Sequence, residues 1–488
     1  MSRINTNVSS MIAQRVLGMQ NRGLVVSLER LSTGMRINRG KDDPAGLIAS
    51  ESLRSEIAAL GAAIRNAERA EQVVNVAEGG LQEINNLLLE VQSLVVQTAN
   101  DAGMSPDEKT ANQIQIDSIL QSIDRVAGAT SFNGLKLLNG NFDYTTSGVA
   151  SAITDLTINS ARLSDTPGAF MQISIDVAQS AQTAAVYLST TGTLTNGGNG
   201  AITFEFTGVD GVQQFTFASG TDQSDIINAI NTFSGALGVS AGQSLNADRV
   251  EIRSTGFGSD NFVRVKTLEG TADQLLATTS AGATTASDLK DDGRDASVII
   301  NGIAATANGL VARVGADGFD VSITIDGTSA LNTDGGGESF SITGGGANFN
   351  LSPKVNLAGK VSIGIETVTT GNLGNTMDGF LSALKSGGTA NVEKGDLTQA
   401  QRILDAAAKQ ISGLRGRLGA FQKNTVGAMI NSLSIGLENT TAAESVIRDT
   451  DFAAETANLT RQQILVQAAT QALAIANLQP QNVLALLG

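Results

Sequence analysis

The segment LQEINNLLLEVQSLV, residues 81–95, decides the fold class of this chain. Its apolar side chains recur at alternating steps of three and four residues, at Leu81, Ile84, Leu88, Val91 and Val95. A repeat of about 3.5 residues places them in one seam along a helix, the pattern of helices that wrap on each other. The segment therefore predicts a long amphipathic helix that needs a helical partner.

The same spacing occurs towards both ends of the chain. Near the start, the residues with this spacing are Leu24, Leu28, Leu31 and Met35, and then Ile116, Ile119, Ile123 and Val126. Towards the end it runs through Leu404, Ala407, Ile411, Leu414, Leu418 and Phe421, then Val426, Ile430, Leu433 and Leu437. Both ends are therefore predicted to be helical, and the economical topology pairs them antiparallel with the middle of the chain looped out.

Three short motifs mark predicted helix starts. Residues 105–108, Ser-Pro-Asp-Glu, form a capping box with proline in the first helical position. Asp43 before Pro44 offers a second cap. Residues 441–444, Thr-Ala-Ala-Glu, form another capping box, which predicts that a new helix begins there and runs into the tail.

Between residues 141 and 380 the apolar period drops to two, which predicts β-strands. Residues 202–217, ITFEFTGVDGVQQFTF, predict a hairpin that turns at Asp210-Gly211, and Phe319, Val321, Ile323 and Ile325 share one face of another strand. Residues 249–265 and 340–351 are interpreted as further hairpins. The predicted fold is mixed α and β: a terminal antiparallel helical or coiled-coil core built from both chain ends, with a β-rich insertion in the middle.

Composition narrows the function. The 488 residues carry a formal net charge of −15 and contain no histidine, cysteine or tryptophan. The usual proton shuttle, thiolate nucleophile and soft metal ligands are therefore missing, and neither an enzyme nor a cofactor is predicted. The acidic clusters at residues 42–43 and 291–295 lack the spacing of a calcium loop, and residues 344–346, Gly-Gly-Gly, lack the Lys-Ser/Thr of a phosphate loop.

Charge and hydropathy also limit the partners and the location. The acidic balance argues against a nucleic acid. The arginine-rich start admits an organellar transit peptide as an alternative, whereas residues 1–19 lack the apolar run of a secretory signal. Export of this chain from the cell would therefore not use a cleaved signal peptide.

The last 27 residues, 462–488, contain no charged side chain. Repeated glutamines and asparagines, together with Pro480, interrupt this segment, so a membrane span is disfavoured. One stripe of the predicted helix contains Ile464, Ala468, Ala472, Ile475 and Leu478. We expect these residues, with Leu24, Leu28, Leu31 and Met35, to pack against other copies of the chain.

Several long motifs at both ends closely resemble bacterial flagellin. They include INTNVSSMIAQ, ERLSTGMRINRGKDDPAGLIAS and SIDRVAGATSFNGLKLLNG near the start, and RGRLGAFQ, RDTDFAAETANLTRQQIL and PQNVLALLG near the end. The resemblance covers about residues 1–140 and 390–488. It implies a structural subunit that polymerises into the extracellular flagellar filament for motility and is exported unfolded through the flagellar secretion channel.

The resemblance also implies a domain arrangement. Residues 1–44 and 443–488 would form the inner filament core, and residues 45–176 and 355–442 a second helical shell with a β-hairpin region. Residues 177–354 would form the variable β-rich surface insertion. The implied partners are many identical copies, an export chaperone and the export apparatus, and hook-associated and cap proteins.

Two further sets of residues come from the resemblance. The expected export-chaperone segment contains Ile464, Leu465, Leu473, Val483, Leu484 and Leu487. A surface patch that a vertebrate innate receptor detects in some flagellins maps to Glu90, Leu94 and Gln115. Glu90 stands where those proteins have arginine and Gln115 where they have glutamate, so weak receptor activation is expected.

Three other functions stay open at this stage. A hook–filament junction protein shares the terminal helical pattern. An enzyme hidden in the insertion would have to work without histidine and cysteine. The Ser/Thr-rich insertion is also compatible with an adhesin or with glycan-bearing strands.

Overall fold

The computed structural model describes residues 6–100, 103–164, 166, 168–189, 194, 200–244, 249–269, 276–277, 287–316, 318–327 and 338–487, with the backbone alone for residues 276–277 and 479–487. The chain divides into two compact units. The terminal unit contains Met1–Glu71, Asn350–Gly359 and Gln422–Gly488, and the middle unit contains Gln72–Phe349 and Lys360–Phe421.

Helices dominate both ends of the chain, as predicted. In chain order they are α1 (Val8–Thr33), α2 (Pro44–Thr98), α3 (Pro106–Ala129), α4 (Gln223–Thr232), α5 (Ser234–Leu237), α6 (Leu397–Ala420), α7 (Gly427–Arg448) and α8 (Phe452–Leu487). A π-helical turn, Phe421–Val426, lies between α6 and α7.

Two of the three predicted helix starts are confirmed. The Ser105 hydroxyl accepts a hydrogen bond from the Glu108 amide at 3.3 Å, and the Glu108 carboxylate accepts one from the Ser105 amide at 2.7 Å. The Asp43 carboxylate accepts from the Gly46 amide at 2.9 Å and caps α2. Each cap satisfies amides that the first helical turn leaves unpaired.

The helix start predicted at residues 441–444 is wrong, because α7 continues through them to Arg448. The break comes at residues 449–451 instead. There the Asp451 carboxylate accepts hydrogen bonds from the amides of Ala453 and Ala454 and starts α8. A capping-box sequence caps a helix only where the first-turn amides lack intrahelical partners. Inside α7 the backbone amides of these residues belong to the continuing helix, so no cap is needed. Likewise, α8 continues past Pro480, which costs it one backbone donor.

The seam that begins at Leu81 is buried inside the middle unit. Leu81, Ile84, Leu88, Val91 and Val95 are all buried, as are Ile403, Ala407, Ile411, Leu414 and Leu418 of α6. Arg415 on α6 pairs with Glu78 on α2 at 3.5 Å, while Gln92 donates to Asp405 at 3.4 Å. The order of these contacts is antiparallel, so the predicted pairing of the two chain ends is confirmed here.

The middle of the chain is built of strands. In chain order they are β1 (Ser131–Phe132), β2 (Leu135–Lys136), β3 (Tyr144–Ser147), β4 (Ile153–Ala161), β5 (Met171–Gln179), β6 (Ala185–Ser189), β7 (Ile202–Thr207), β8 (Val212–Phe217), β9 (Val239–Gln243), β10 (Arg249–Ser254), β11 (Phe262–Glu269), β12 (Leu276–Ala277), β13 (Asp288–Asp292), β14 (Ser297–Ile300), β15 (Ile303–Ala304), β16 (Thr306–Asn308), β17 (Val311–Ala316), β18 (Phe319–Ile325), β19 (Glu338–Gly345), β20 (Ala347–Asn350), β21 (Lys360–Ile363), β22 (Gly374–Asn375) and β23 (Gly379–Phe380).

These strands form two β modules with separate hydrophobic cores. The first β module contains the sheets β15-β14-β5-β19-β3 and β16-β17-β18-β4. The second β module contains the sheets β12-β6-β10-β9 and β13-β11-β7-β8, together with α4 and α5. The second module is inserted in the chain between β5 and β14 of the first. The pairs β1-β2, β20-β21 and β22-β23 form small two-stranded sheets.

The predicted strand faces are confirmed, but only one of the predicted hairpins is. Strands β7 and β8 pair antiparallel from Ile202 opposite Phe217 to Thr207 opposite Val212, and β18 buries every second residue from Phe319. The hairpins predicted at residues 249–265 and 340–351 are wrong. Strands β10 and β11 belong to different sheets, and so do β19 and β20. The alternation of apolar and polar side chains identifies a half-buried strand. It does not identify the strands that pair with it, because the pairing depends on how the sheets pack around the core.

The domain boundaries expected from the resemblance can be placed on these elements. The boundary at residues 176–177 falls inside β5, Met171–Gln179. The boundary at residues 354–355 falls within Asn350–Gly359, which belongs to the terminal unit. No helix, over the residues that the structure describes, is both long and apolar enough to span a bilayer.

Candidate subunit-packing surface

Helices α1 and α8 of the terminal unit lie antiparallel against each other. The Asn7 side-chain amide donates to the Ala476 carbonyl at 2.7 Å, near the start of α1. Further along, Gly23 faces the Gln462 side chain, and Arg30 pairs with Glu455 at 3.7 Å. The residue numbers rise along one helix as they fall along the other, so the two chain ends form one antiparallel pair.

Small side chains let these two helices approach closely. The buried residues on the α8 side include Ala469 and Ala476, and those on α1 are Ser10 and Ser27. A methyl group added at Gly23 would lie 3.0 Å from the Gln462 side chain. The contact is therefore narrow, and it covers only one side of each helix.

Backbone hydrogen bonds fix the end of the pair that lies away from the termini. The Arg36 amide donates to the Arg448 carbonyl at 2.7 Å, and the Thr450 amide donates to the Gly34 carbonyl at 2.9 Å. Gly34 adopts a φ of 72°, in the left-handed region that favours glycine, and ends α1. The segment after α1 is thereby tied to the break between α7 and α8.

The opposite sides of both helices leave apolar side chains exposed. We call this the uncovered apolar surface: Val8, Met11, Ile12, Met19, Val25 and Leu28 on α1, and Ile464, Leu465, Ile475 and Leu478 on α8. Ile475, for example, is 61% exposed. Helix α8 has apolar residues around most of its circumference, which is typical of a helix that is buried on all sides. A single chain does not provide that burial.

Most of the residues predicted to pack against other copies lie on this exposed side. Leu28, Ile464, Ala468, Ala472, Ile475 and Leu478 are exposed, whereas Leu24, Leu31 and Met35 are half-buried. The predicted stripe of α8 is therefore distinct from the side that contacts α1. The sequence pattern did not predict that second side, formed by Gln462, Val466, Ala469, Leu473 and Ala476. The small alanines were the available signal for it.

The expected export-chaperone segment lies on α8. Its residues Ile464 and Leu465 are exposed, and Leu473 is half-buried against α1. Val483, Leu484 and Leu487 lie outside the residues whose side chains the structure describes.

The residues matched to the receptor patch lie on α2 and α3. The Gln115 amide donates to the Glu90 carboxylate at 3.2 Å, and both side chains are exposed. Leu94 is only 7% exposed. It lies three residues after Val91 and one before Val95, and helical geometry turns it into the same buried seam.

Two acidic residues near the helix pair have arginine partners. Glu455 is buried beside Arg30, and Glu51 contacts both Arg54 at 2.8 Å and Arg448 at 3.0 Å. The Arg54 hydrogen bond, with Arg448 as a further partner, lowers the pKa of Glu51 below its usual value. Because Glu51 is exposed, solvent screens this interaction. Among the described residues, no group of three or more acidic side chains is placed to hold a metal ion.

The contact between the two terminal helices is narrow, and the sides of the helices that face away from this contact are apolar and exposed. These two features define a self-assembling structural subunit. The chain matches the family model for the bacterial flagellin N-terminal helical region over residues 4–143, and the one for the bacterial flagellin C-terminal helical region over residues 402–487. It is 32% identical to the flagellin of Salmonella typhimurium over 518 residues, covering 99% of each chain. The chain belongs to the bacterial flagellin family. It is a structural subunit of the flagellar filament, an extracellular assembly for motility.

Other relatives agree with this assignment along the whole chain. Flagellin B of Helicobacter pylori is 29% identical over 527 residues, and flagellin B of Vibrio cholerae is 29% identical over 488 residues. Each alignment covers 99% of both chains.

Solved structures give weaker similarities. The D2-D3 domains of the flagellar cap protein FliD from Escherichia coli match at a TM-score of 0.28 and 15% identity, covering 41% of this chain and 98% of that one. FlgL from Xanthomonas campestris matches at a TM-score of 0.26 and 14% identity, covering 79% and 97%. At these TM-scores the similarities carry no argument about this protein.

Proposed function

We propose that the uncovered apolar surface of α1 and α8 packs against the same helices of neighbouring copies and forms the inner layer of the filament. The observation that carries this proposal is the exposure of large apolar side chains along both helices, Ile475 and Leu478 among them. Fully burying one such side chain stabilises an assembly by about 1.5–3 kcal/mol. Repeated along two helices, this burial is a sufficient driving force for polymerisation.

The charge pattern supports the same arrangement. The only charged residues of α8 are Glu455 and Arg461, which precede the uncharged segment that starts at Gln462. Glu455 is already paired with Arg30 within the chain. Neighbouring copies can therefore cover most of α8 without burying an unpaired charge, which would cost several kcal/mol.

A single charged substitution on this surface tests the proposal. We expect Ile475→Asp to prevent polymerisation, because each copy in the inner layer would then bury an unpaired carboxylate. Electron microscopy and sedimentation of the purified protein measure the outcome. Val212→Asp is the matched control: it adds the same charge at an exposed apolar residue of β8 in the second β module. Normal filaments from Ile475→Asp would contradict the proposal.

We further propose the radial order of the filament. Residues 1–44 and 443–488 form the inner layer, residues 45–176 and 355–442 the second helical shell, and residues 177–354 the surface. The inner layer requires the apolar terminal helices, and the charged, Thr-rich strands of the second β module suit solvent. A hook–filament junction role has less support, since the full-length relatives described above are flagellins.

Export is the remaining part of the proposal. The chain leaves the cell unfolded through the flagellar secretion channel, without a cleaved signal peptide. An export chaperone covers α8 from Ile464 to Leu487 until assembly, because an exposed apolar helix would otherwise associate early. Hook-associated and cap proteins are the proposed partners at the ends of the filament.

The vertebrate innate receptor is proposed to respond weakly to this flagellin. Glu90 and Gln115 present a carboxylate and an amide that hydrogen-bond to each other, and Leu94 is buried. A reporter-cell assay is expected to need a much higher concentration of this protein than of a strongly activating flagellin. Full potency at the same concentration would contradict this prediction.

A further inference from the structure

The outer face of the sheet β12-β6-β10-β9, in the second β module, carries a polar trough. Alternation along β10 turns Val250 and Ile252 into the hydrophobic core and Glu251 and Arg253 to the other side. In the sheet register, Tyr187 of β6 lies directly opposite Glu251 on one side, and Gly242 of β9 lies directly opposite it on the other. The absence of a side chain at Gly242 leaves the space beside Glu251 open.

Glu251 is the central group of the trough. It is only 8% exposed although it lies on the outer face. Its Oε1 atom accepts a hydrogen bond from the Tyr187 hydroxyl at 2.6 Å and contacts the Arg253 guanidinium at 2.8 Å. Glu251 lines two cavities on this face, so its carboxylate is accessible to a ligand.

The protonation of this network is fixed near neutral pH. Burial, with the neighbouring Glu251 carboxylate as a second cause, raises the pKa of Tyr187 to about 12. The Tyr187 hydroxyl therefore keeps its proton and always donates to Oε1. This donor and Arg253 hold the carboxylate in one orientation.

Two cavities flank Glu251 and Arg253. One, of about 450 Å³, lies towards β9 and is lined by Ser240, Gly242 and Ser244. The other, of about 460 Å³, lies towards Tyr187, Asp291 and Arg294. Volumes of this size lie in the range of small-molecule sites.

Ser244 provides an independent indication of a ligand. It is 6% exposed and lines the first cavity, yet its hydroxyl has no hydrogen-bond partner among the described residues. Buried hydroxyls are nearly always hydrogen-bonded, because leaving one unpaired costs stability. Rotation of the Ser244 side chain towards the cavity would let a ligand supply the missing partner.

The polar groups of the trough determine the ligand class. The Glu251 charge is balanced by Arg253, and Asp292 on the far side pairs with Lys290 at 2.6 Å. The trough thus offers hydrogen-bond acceptors and donors around a balanced charge, which suits hydroxyl groups better than a charged ligand. We propose that this trough binds one neutral saccharide unit, with its hydroxyls donating to the Glu251 carboxylate and bonding to the Ser244 hydroxyl.

The test is saturation-transfer NMR on the full-length protein with D-glucose, D-galactose and N-acetyl-D-glucosamine as probes. We expect saturable transfer to at least one of them. Glu251→Gln should weaken binding by about tenfold, because hydrogen bonds to a charged acceptor are the stronger ones. Transfer to none of the three sugars, or binding unchanged in Glu251→Gln, would overturn the proposal.

Gly242→Val separates binding from folding. A Cβ atom added at residue 242 would meet no atom within 4 Å, and valine favours strands, so thermal stability should be kept while the trough is filled. Binding should fall below detection. Gly315→Val, on β17 of the first β module, is the matched control and should bind as the parent does. Equal binding in both variants would overturn the proposal, as would transfer to free glycine or glutamate in place of the sugars.

Discussion

Deleting residues 464–488 is expected to abolish filament formation and to leave both β modules folded. The deletion removes most of α8, including the part that contacts the first half of α1 through Asn7 and Ala476. It also removes Ile475 and Leu478 from the uncovered apolar surface. Electron microscopy should show no polymers, and hydrogen exchange of peptides from the β modules should be unchanged.

The contacts that remain after the deletion allow its effect to be assigned to the missing segment. Arg30 still pairs with Glu455, and the Thr450 amide still bonds Gly34, so the end of the pair away from the termini is kept. Loss of polymers would then result from the missing segment. It would not result from a disrupted break between α7 and α8 or from loss of its contact with the end of α1. Filaments of normal length from the truncated protein would contradict the assignment of α8 to the inner layer.

Phe204→Ala is expected to destabilise the second β module strongly without stopping assembly. Phe204 is fully buried, and the rings of Phe206 and Phe217 lie 6.0 and 6.4 Å away. Replacing a buried phenylalanine with alanine costs about 3–5 kcal/mol through lost burial and the cavity that remains. That is a large fraction of the stability of a domain, about 5–15 kcal/mol.

Hydrogen exchange followed by mass spectrometry measures this effect module by module. Peptides around residues 202–217 should exchange much faster in Phe204→Ala, while peptides around residues 319–325 of the first β module should not change. Val212→Ala, at an exposed residue of the same hairpin, is the control and should change stability by no more than about 0.5 kcal/mol. Failure of Phe204→Ala to polymerise would show that the second β module contributes to assembly.

Short-range patterns predicted the elements of this protein well. The three-and-four spacing from Leu81 to Val95 predicted a buried helical seam, and the cap at Ser105 predicted where α3 begins. The alternation from Phe319 to Ile325 predicted which residues of β18 face the core. These patterns succeed because helix and strand periods are fixed by local backbone geometry, which each segment expresses by itself.

The same patterns did not predict partners. The alternation of apolar and polar side chains in residues 249–265 predicted a hairpin. Strands β10 and β11 instead belong to different sheets that pack on one hydrophobic core. Leu94, which the strict spacing leaves out of the seam, is also buried. The side of α8 that contacts α1 was also missed, because a helix apolar on most sides carries no unique buried face.

The sequence by itself therefore determined the helical ends, the β-rich middle and the membership of the flagellin family. Only the tertiary structure decided that α8 uses one side for α1 and leaves Ile464, Ile475 and Leu478 uncovered, and that Tyr187, Glu251 and Gly242 meet across three strands. The physical reason is that the hydrophobic effect has no direction: it requires apolar surface to be buried, while shape and register select what buries it.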